Sequence, residues 1–267
     1  MNKQERADFR EIVEPVLLKN GFIRKYSSYF LVDLKNQWLL DIHPSARKDF
    51  DVYYEFFPFT YNLDISRIKE ASHVNHFSII GLYGDTRWFK HEACIDTLQQ
   101  ARIAIERFLL NNLSRVTSVQ KAVEFREECD LKLVQDDESY SYYPSLYGFH
   151  QIISYAYIED NKNAIRVAER VMAGKIAHRE ALKKEIEAYQ AYKIKSKSRK
   201  KEVFDSMIAW SERKILLAQK EIDEIQSIIQ QLTANETEGV KAIAEESIET
   251  TLNVIHECLI GAKGKRC

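Results

Sequence analysis

"WLLDIHPSARKDFDVYYEFFPF", residues 38–59, decides the fold. Trp38, Leu40 and Ile42 fall on one side of an extended chain, and Phe50, Val52, Tyr54 and Phe56 share one side of the run that follows. A two-residue period of this kind predicts two strands joined by a hairpin, with Pro44–Lys48 as a five-residue connection. In that register Ile42 faces Phe50, Leu40 faces Val52 and Trp38 faces Tyr54, which completes an apolar inner face.

The other side is polar. It carries Asp41 and His43 on the first strand and Asp49, Asp51, Tyr53 and Glu55 on the second. The same register sets His43 against Asp49 and Asp41 against Asp51, and opposed carboxylates repel by roughly 0.2–1 kcal/mol. Three arrangements offset that repulsion. A divalent cation such as Mn, Fe or Zn held by Asp41, His43 and Asp51 is one, and it implies a metal-dependent hydrolase or nuclease. A slip of two residues, which pairs His43 with Asp51 and keeps both faces intact, is the second. Solvent screening on an exposed face is the third and the ordinary state of a half-buried strand, leaving Asp49, Asp51, Tyr53 and Glu55 as a protein-binding surface.

Outward from the hairpin, "FIRKYSSYFLVDL" at 22–34 adds a further strand to the meander, and "HFSIIGL" at 76–82 reads as another. Before them, Phe9, Ile12, Val13, Val16 and Leu17 follow a helical spacing, with Pro15 inside it as a bend and Gly21 at its C-terminal cap. After them, Ile95, Leu98, Ala101, Ile105, Phe108 and Leu109 mark one face of a helix over 93–113. The expectation for residues 1–115 is an α+β domain, an antiparallel meander covered by helices.

"LLKNGFIRK" at 17–25, "YSSYFLVDLKNQWLLDIHPS" at 26–45 and "GDTRWF" at 84–89, with the flanking helices, resemble the bacterial domain of unknown function 4304 family. The resemblance covers about residues 1–115. It implies an α+β fold in a bacterial cytoplasmic protein, associated with toxin-immunity and phage-defence proteins. No catalytic residue or cofactor comes with it.

The rest of the chain reads as helix. All four prolines lie in the first 144 residues, so long helices are permitted after that point. Residues 135–145 read as the loop before a helical hairpin, "YGFHQIISYAYIE" and "NAIRVAERVMAG". From Lys175 to Glu238 there is no Gly or Pro, yet a single helix of that length would be roughly 95 Å long. Leu182, Ile186 and Tyr189 set one heptad phase, and Phe204, Ile208, Ser211, Ile215, Ala218, Ile222, Ile225, Ile229 and Leu232 set another, so a break is expected near 194–200. The expected second domain, 116–267, thus holds a coiled-coil segment over about 201–234, paired either within the chain, with a C-terminal helix over 237–259 as partner, or with another chain.

Charge excludes a global attraction for nucleic acid or membrane, because 39 basic residues nearly balance 40 acidic ones. One local run is basic: Lys193, Lys195, Lys197, Arg199, Lys200 and Lys201, a candidate phosphate-contacting patch or a solvated helix face. Cysteines 94, 129, 258 and 267 have no metal or disulfide spacing, and Cys267 is misplaced for prenylation. His73 and His76 form an HxxH without a third ligand. No nucleophile elbow or phosphate loop occurs, so no cofactor is implied. Residues 2–11 are too charged for a signal peptide and no apolar run reaches the ~18 residues of a membrane span, which points to the cytoplasm. The functional expectation is a non-catalytic interaction protein, possessing an α+β recognition platform and a helical docking or dimerisation arm. Its contact residues would be the acidic strand face and the seam Ile215, Ile222, Ile225, Ile229 and Leu232, and its partner another protein or a second copy.

Overall fold

A computed structural model describes residues 2–25, 27–46, 50–61, 77–79, 94–136, 148–195 and 198–261, with the backbone alone described at 46, 77, 132–136 and 198–200. The architecture is α+β, an antiparallel sheet followed by a mostly helical region. The chain forms two compact units, Met1–Cys129 with Ala244–Cys267, and Asp130–Ile243.

Helix α1 (Lys3–Ile12) begins on a capping box: the Asn2 side chain accepts from the Glu5 N–H at 2.9 Å, and the Glu5 carboxylate accepts the Asn2 N–H at 2.6 Å. Pro15 does more than bend this helix. The chain breaks at Val13 and resumes as α2 (Glu14–Lys19), with Pro15 in the first turn, where a missing N–H leaves no bond unmade. Gly21, at φ 85°, closes α2 in a Schellman turn, Phe22 N–H bonding Leu17 O and Gly21 N–H bonding Leu18 O, both at 3.1 Å.

Strands β1 (Ile23–Lys25), β2 (Ser28–Asp33), β3 (Trp38–Ala46), β4 (Phe50–Pro58) and the two-residue β5 (Phe77–Ser78) lie in sequence order, each antiparallel to its neighbour. The β3–β4 register differs from the expected one by four residues: Ile42 faces Tyr54, Leu40 faces Phe56 and Trp38 faces Pro58. Alternation cannot tell these registers apart, since an even slip keeps every side chain on its face. Ladder length does, because running β3 on to Ala46 yields nine paired positions, Trp38↔Pro58 through Ala46↔Phe50. Pro44 sits past the last β2 pair, Tyr29↔Ile42, where β3 has no β2 partner to serve.

The even-numbered face of β3 and β4 is the expected core. Phe9 of α1 packs on Tyr29 and Phe50, with ring centroids 5.9 and 6.3 Å away. Tyr54 meets Phe108 of α3 (Ile95–Asn111) at 4.5 Å, and Phe56 meets Phe125 of α4 (Val119–Asp136) edge-on at 4.9 Å. The fully buried Arg126 donates to Phe56 O at 2.7 Å and lies over the Phe57 and Tyr61 rings. These α4 contacts carry the first unit past the expected boundary at 115, as far as Cys129, whose Sγ lies 3.6 Å from the Tyr54 hydroxyl. From the far end of the chain, Thr251 of α8 (Glu238–Ile255) donates to Phe59 O at 3.0 Å, so most of α8 belongs with the sheet.

In the second unit, α5 (Gly148–Tyr157) turns through Glu159, at φ 62°, into α6 (Asn161–Lys195), and α7 begins at Ser198 and ends at Thr233. The expected break thus lies between 195 and 198. Helices α6 and α7 pack antiparallel: Asn161 bonds Asn235 at 3.1 Å, Lys175 pairs with Glu221 at 2.5 Å, and Lys193 pairs with Asp205 near the turn. The partner of the predicted coiled-coil seam is therefore α6, and the C-terminal helix is not needed for that role.

Candidate functional site

The polar face of the β3–β4 ladder is not solvated. Asp41, His43, Asp51 and Glu55 each retain 5% or less of their surface, and Tyr53 is half-buried. Screening by water therefore does not describe Asp41, His43, Asp51 and Glu55, and Asp51 and Glu55 offer almost no surface to a protein partner. Asp49 lies outside the described residues.

The register also takes the proposed ligand set apart. Asp41 faces Glu55 and Asp51 faces Ser45, so Asp41 and Asp51 are four residues apart along the ladder, roughly 13 Å at strand rise. No ion with ligand distances near ~2–2.6 Å bridges that separation. His43 stands between them, opposite Tyr53, with the two rings stacked at 5.8 Å. Its Nδ1 is 3.7 Å from Asp41 Oδ2, too long for a hydrogen bond. Asp51 Oδ1 accepts the Val52 N–H at 2.7 Å. Among the described residues no group of three or more His, Cys, Asp or Glu side chains is placed to hold a metal ion. His73 and His76 lie outside the described residues.

The predicted contact seam is likewise internal. Ile222, Ile225 and Leu232 are buried and Ile215 and Ile229 half-buried along α7, the helix that packs on α6. A second apolar row on the same helix was not anticipated. Val203, Met207, Trp210 and Leu217 keep between 37% and 57% of their surface, at intervals of four, three and seven residues. The gap at 214 is filled by Lys214, whose Nζ lies 5.5 Å from the centre of the Trp210 ring. Spacings of four and three are those of a coiled-coil seam, one position ahead of the buried phase. The signal was present in the sequence, one residue out of step with the stronger repeat.

Near the turn of this hairpin, Tyr192 is exposed and its ring is stacked on Phe204 at 6.3 Å. Of the basic run, Lys195 and Lys201 are exposed and Lys193 is tied to Asp205. Arg199 and Lys200 are described by backbone alone, and Lys197 lies outside the described residues. Between residues 189 and 217 the sequence has eight basic side chains against three acidic ones, six of the eight in the run 193–201.

A third feature lies in the first unit. Arg6 and Arg10 of α1 and Arg24 of β1 line one pocket of about 230 Å³ with Phe9, Ser27 and Tyr29. Arg24 Nη1 is 3.3 Å from Glu14 Oε1. Burial, reinforced by the Glu14 charge, pushes the Tyr29 phenol up to about 12. It remains a donor at every physiological pH. The Arg6–Arg10 spacing is visible in the sequence, but only the β1–β2 turn brings Arg24 beside them.

Among the described residues no helix is long and apolar enough to cross a membrane. No protein-family model, curated protein or solved structure matches the chain.

Proposed function

We propose that this chain is an interaction protein, with the α6–α7 hairpin as its docking arm and an acidic amphipathic helix of another protein as the partner. The observation that carries the reading is the exposed row Val203, Met207, Trp210 and Leu217. Large apolar side chains at coiled-coil spacing on a helix already packed along another face supply what a further helix buries. Tryptophan, as at Trp210, is among the residue types that dominate binding energy at interfaces, and methionine, as at Met207, is enriched there. Charge selects the partner. The surplus of basic side chains over 189–217 repels a second copy of the same segment and attracts an acidic helix. The resemblance of residues 1–115 to the domain of unknown function 4304 family extends the proposal to a toxin-immunity or phage-defence complex in a bacterial cytoplasm.

The test compares wild type with a Met207→Glu, Trp210→Glu variant in affinity purification from the native cell, followed by reconstitution with the purified partner. Both positions are exposed, so the variant should unfold in urea within about 0.5 kcal/mol of wild type. One partner held stoichiometrically by wild type and lost from the variant, and cross-linking to α7, supports the proposal. Equal recovery by both proteins refutes it. A dimer in light scattering that the variant dissolves would reassign the row to self-association. Steeply salt-dependent retention of DNA or RNA would reassign the arm to the basic run at 193–201.

A further inference from the structure

The exposed apolar row on α7 is broken once. Val203, Met207, Trp210 and Leu217 follow a repeat of four and three, and the position between Trp210 and Leu217 is taken by Lys214. Lys214 is itself exposed, with its Nζ 5.5 Å from the centre of the Trp210 ring, so it continues the row as an apolar stem with a charged head. The residues one turn away on either side are Trp210, Ser211, Leu217 and Ala218, and none is acidic. Elsewhere in the hairpin the lysines are matched: Lys175 pairs with Glu221, Lys183 with Glu180, Lys193 with Asp205 and Lys220 with Glu224. Among the described residues Lys214 has no carboxylate partner, and neither has Arg213, whose Nε donates to Ala209 O at 3.2 Å.

A cation at a seam position weakens a coiled coil and dictates what it pairs with. Two copies of α7 meeting through this row offer Lys214 nothing acidic. Parallel and in register, Lys214 meets Lys214; antiparallel, the registers that overlap the row set it against Val203 or Trp210. Each arrangement desolvates an ammonium with no carboxylate to offset the loss. A helix of another protein that places Asp or Glu opposite Lys214, and apolar side chains opposite Trp210 and Leu217, converts that loss into a charge-assisted hydrogen bond.

Building on the docking role of α7, we propose that Lys214 is the specificity residue of the outer row: it bars a second copy of this chain and admits a helix whose apolar seam is interrupted by one carboxylate. The row supplies the adhesion, and Lys214 decides what may use it.

The experiment is sedimentation equilibrium of the full chain as wild type, Lys214→Leu, and Lys214→Leu with Trp210→Glu. Each is run at up to about 200 µM in about 0.15 M and about 0.5 M salt, the higher concentration screening the exposed basic run. Wild type should be monomeric in both, Lys214→Leu should dimerise, and the double variant should return to monomer, which assigns the dimer contact to the row. Both positions are exposed, so the melting temperatures should agree within a few degrees. Toward the partner isolated by the purification described above, Lys214→Glu should lose about tenfold or more in affinity, and Lys214→Arg should stay within about threefold. The proposal is overturned if Lys214→Leu stays monomeric, if wild type dimerises once the basic run is screened, or if Lys214→Glu binds the partner undiminished. The two readings fail separately. Retention of the partner by Met207→Glu, Trp210→Glu sinks the docking role itself, whereas its loss from that variant beside a monomeric Lys214→Leu sinks only the role of Lys214.

Discussion

The β3–β4 ladder and helix α7 carry the same kind of two-sided pattern, and the fold resolves them in opposite directions. On the ladder the polar side, Asp41, His43, Asp51 and Glu55, is buried along with the apolar one. On α7 one apolar row is buried against α6, and a second, at the same spacing, is left outside. Polarity therefore identified the period of each element correctly and misidentified its environment. A residue's face follows from local geometry, but whether that face meets water depends on what else the chain folds against it.

The largest test of this contrast lies within α7. Ile225, on the buried row, should cost about 2–5 kcal/mol as Ile225→Ala, because the removed methyl groups leave a cavity that helix packing only partly closes. Val203→Ala, on the outer row, should stay within about 0.5 kcal/mol. Equilibrium urea unfolding of both variants measures the difference. A Val203 cost as large as that of Ile225 would mean the outer row is already covered, and the docking proposal would lose its basis.

A second test concerns how tightly the inner side of the helical unit is built. A Cβ added at Gly148 of α5 would lie 2.6 Å from Cγ2 of Val171 on α6, closer than the stiff valine side chain can yield. Gly148→Ala should therefore destabilise by about 1–3 kcal/mol. Val171→Ala in the same chain should recover most of that loss, giving a coupling above ~0.5 kcal/mol in a double-mutant cycle. Additive costs would show that α5 and α6 do not depend on this close approach, in contrast to the free outer side of α7.

How far these features were legible in the sequence follows from the same physics. The antiparallel β3–β4 hairpin, the helices and the break between 195 and 198 were legible, because they rest on periodicity, on the capping glycine Gly21 and on a heptad phase shift, whereas the run 22–34, expected as one strand, folds back on itself as β1 and β2. The β3–β4 register was not, since even slips preserve both faces and only the extra pairs out to Ala46 choose between them. The unit boundary was also hidden: Arg126 and Cys129 join the sheet through long-range contacts with Phe56 and Tyr54, and α8 through Thr251. Of the candidate sites, the acidic face was seen as a set of residues but with the wrong neighbours. The arginine pocket was invisible because it needs α1 and β1 together. No pattern within either element announces the other.

The smallest effect bears on the ladder's buried polar side. Asp41 faces Glu55 directly, both are nearly inaccessible, and Asp41 Oδ1 accepts no hydrogen bond among the described residues. Were this face solvated, replacing Asp41 by asparagine would change little, since water already screens the pair. Inside the fold, Asp41→Asn removes one of two opposed carboxylates and supplies N–H donors at nearly the same volume, so it should stabilise by roughly 0.2–1 kcal/mol. In a chain of this size that is a rise of no more than a few degrees in melting temperature. The gain should persist at high salt, because a buried pair is screened far less than an exposed one. A gain that vanishes in 1 M salt would return Asp41 to the surface; a loss of stability would mean that its charge serves a contact the asparagine cannot make.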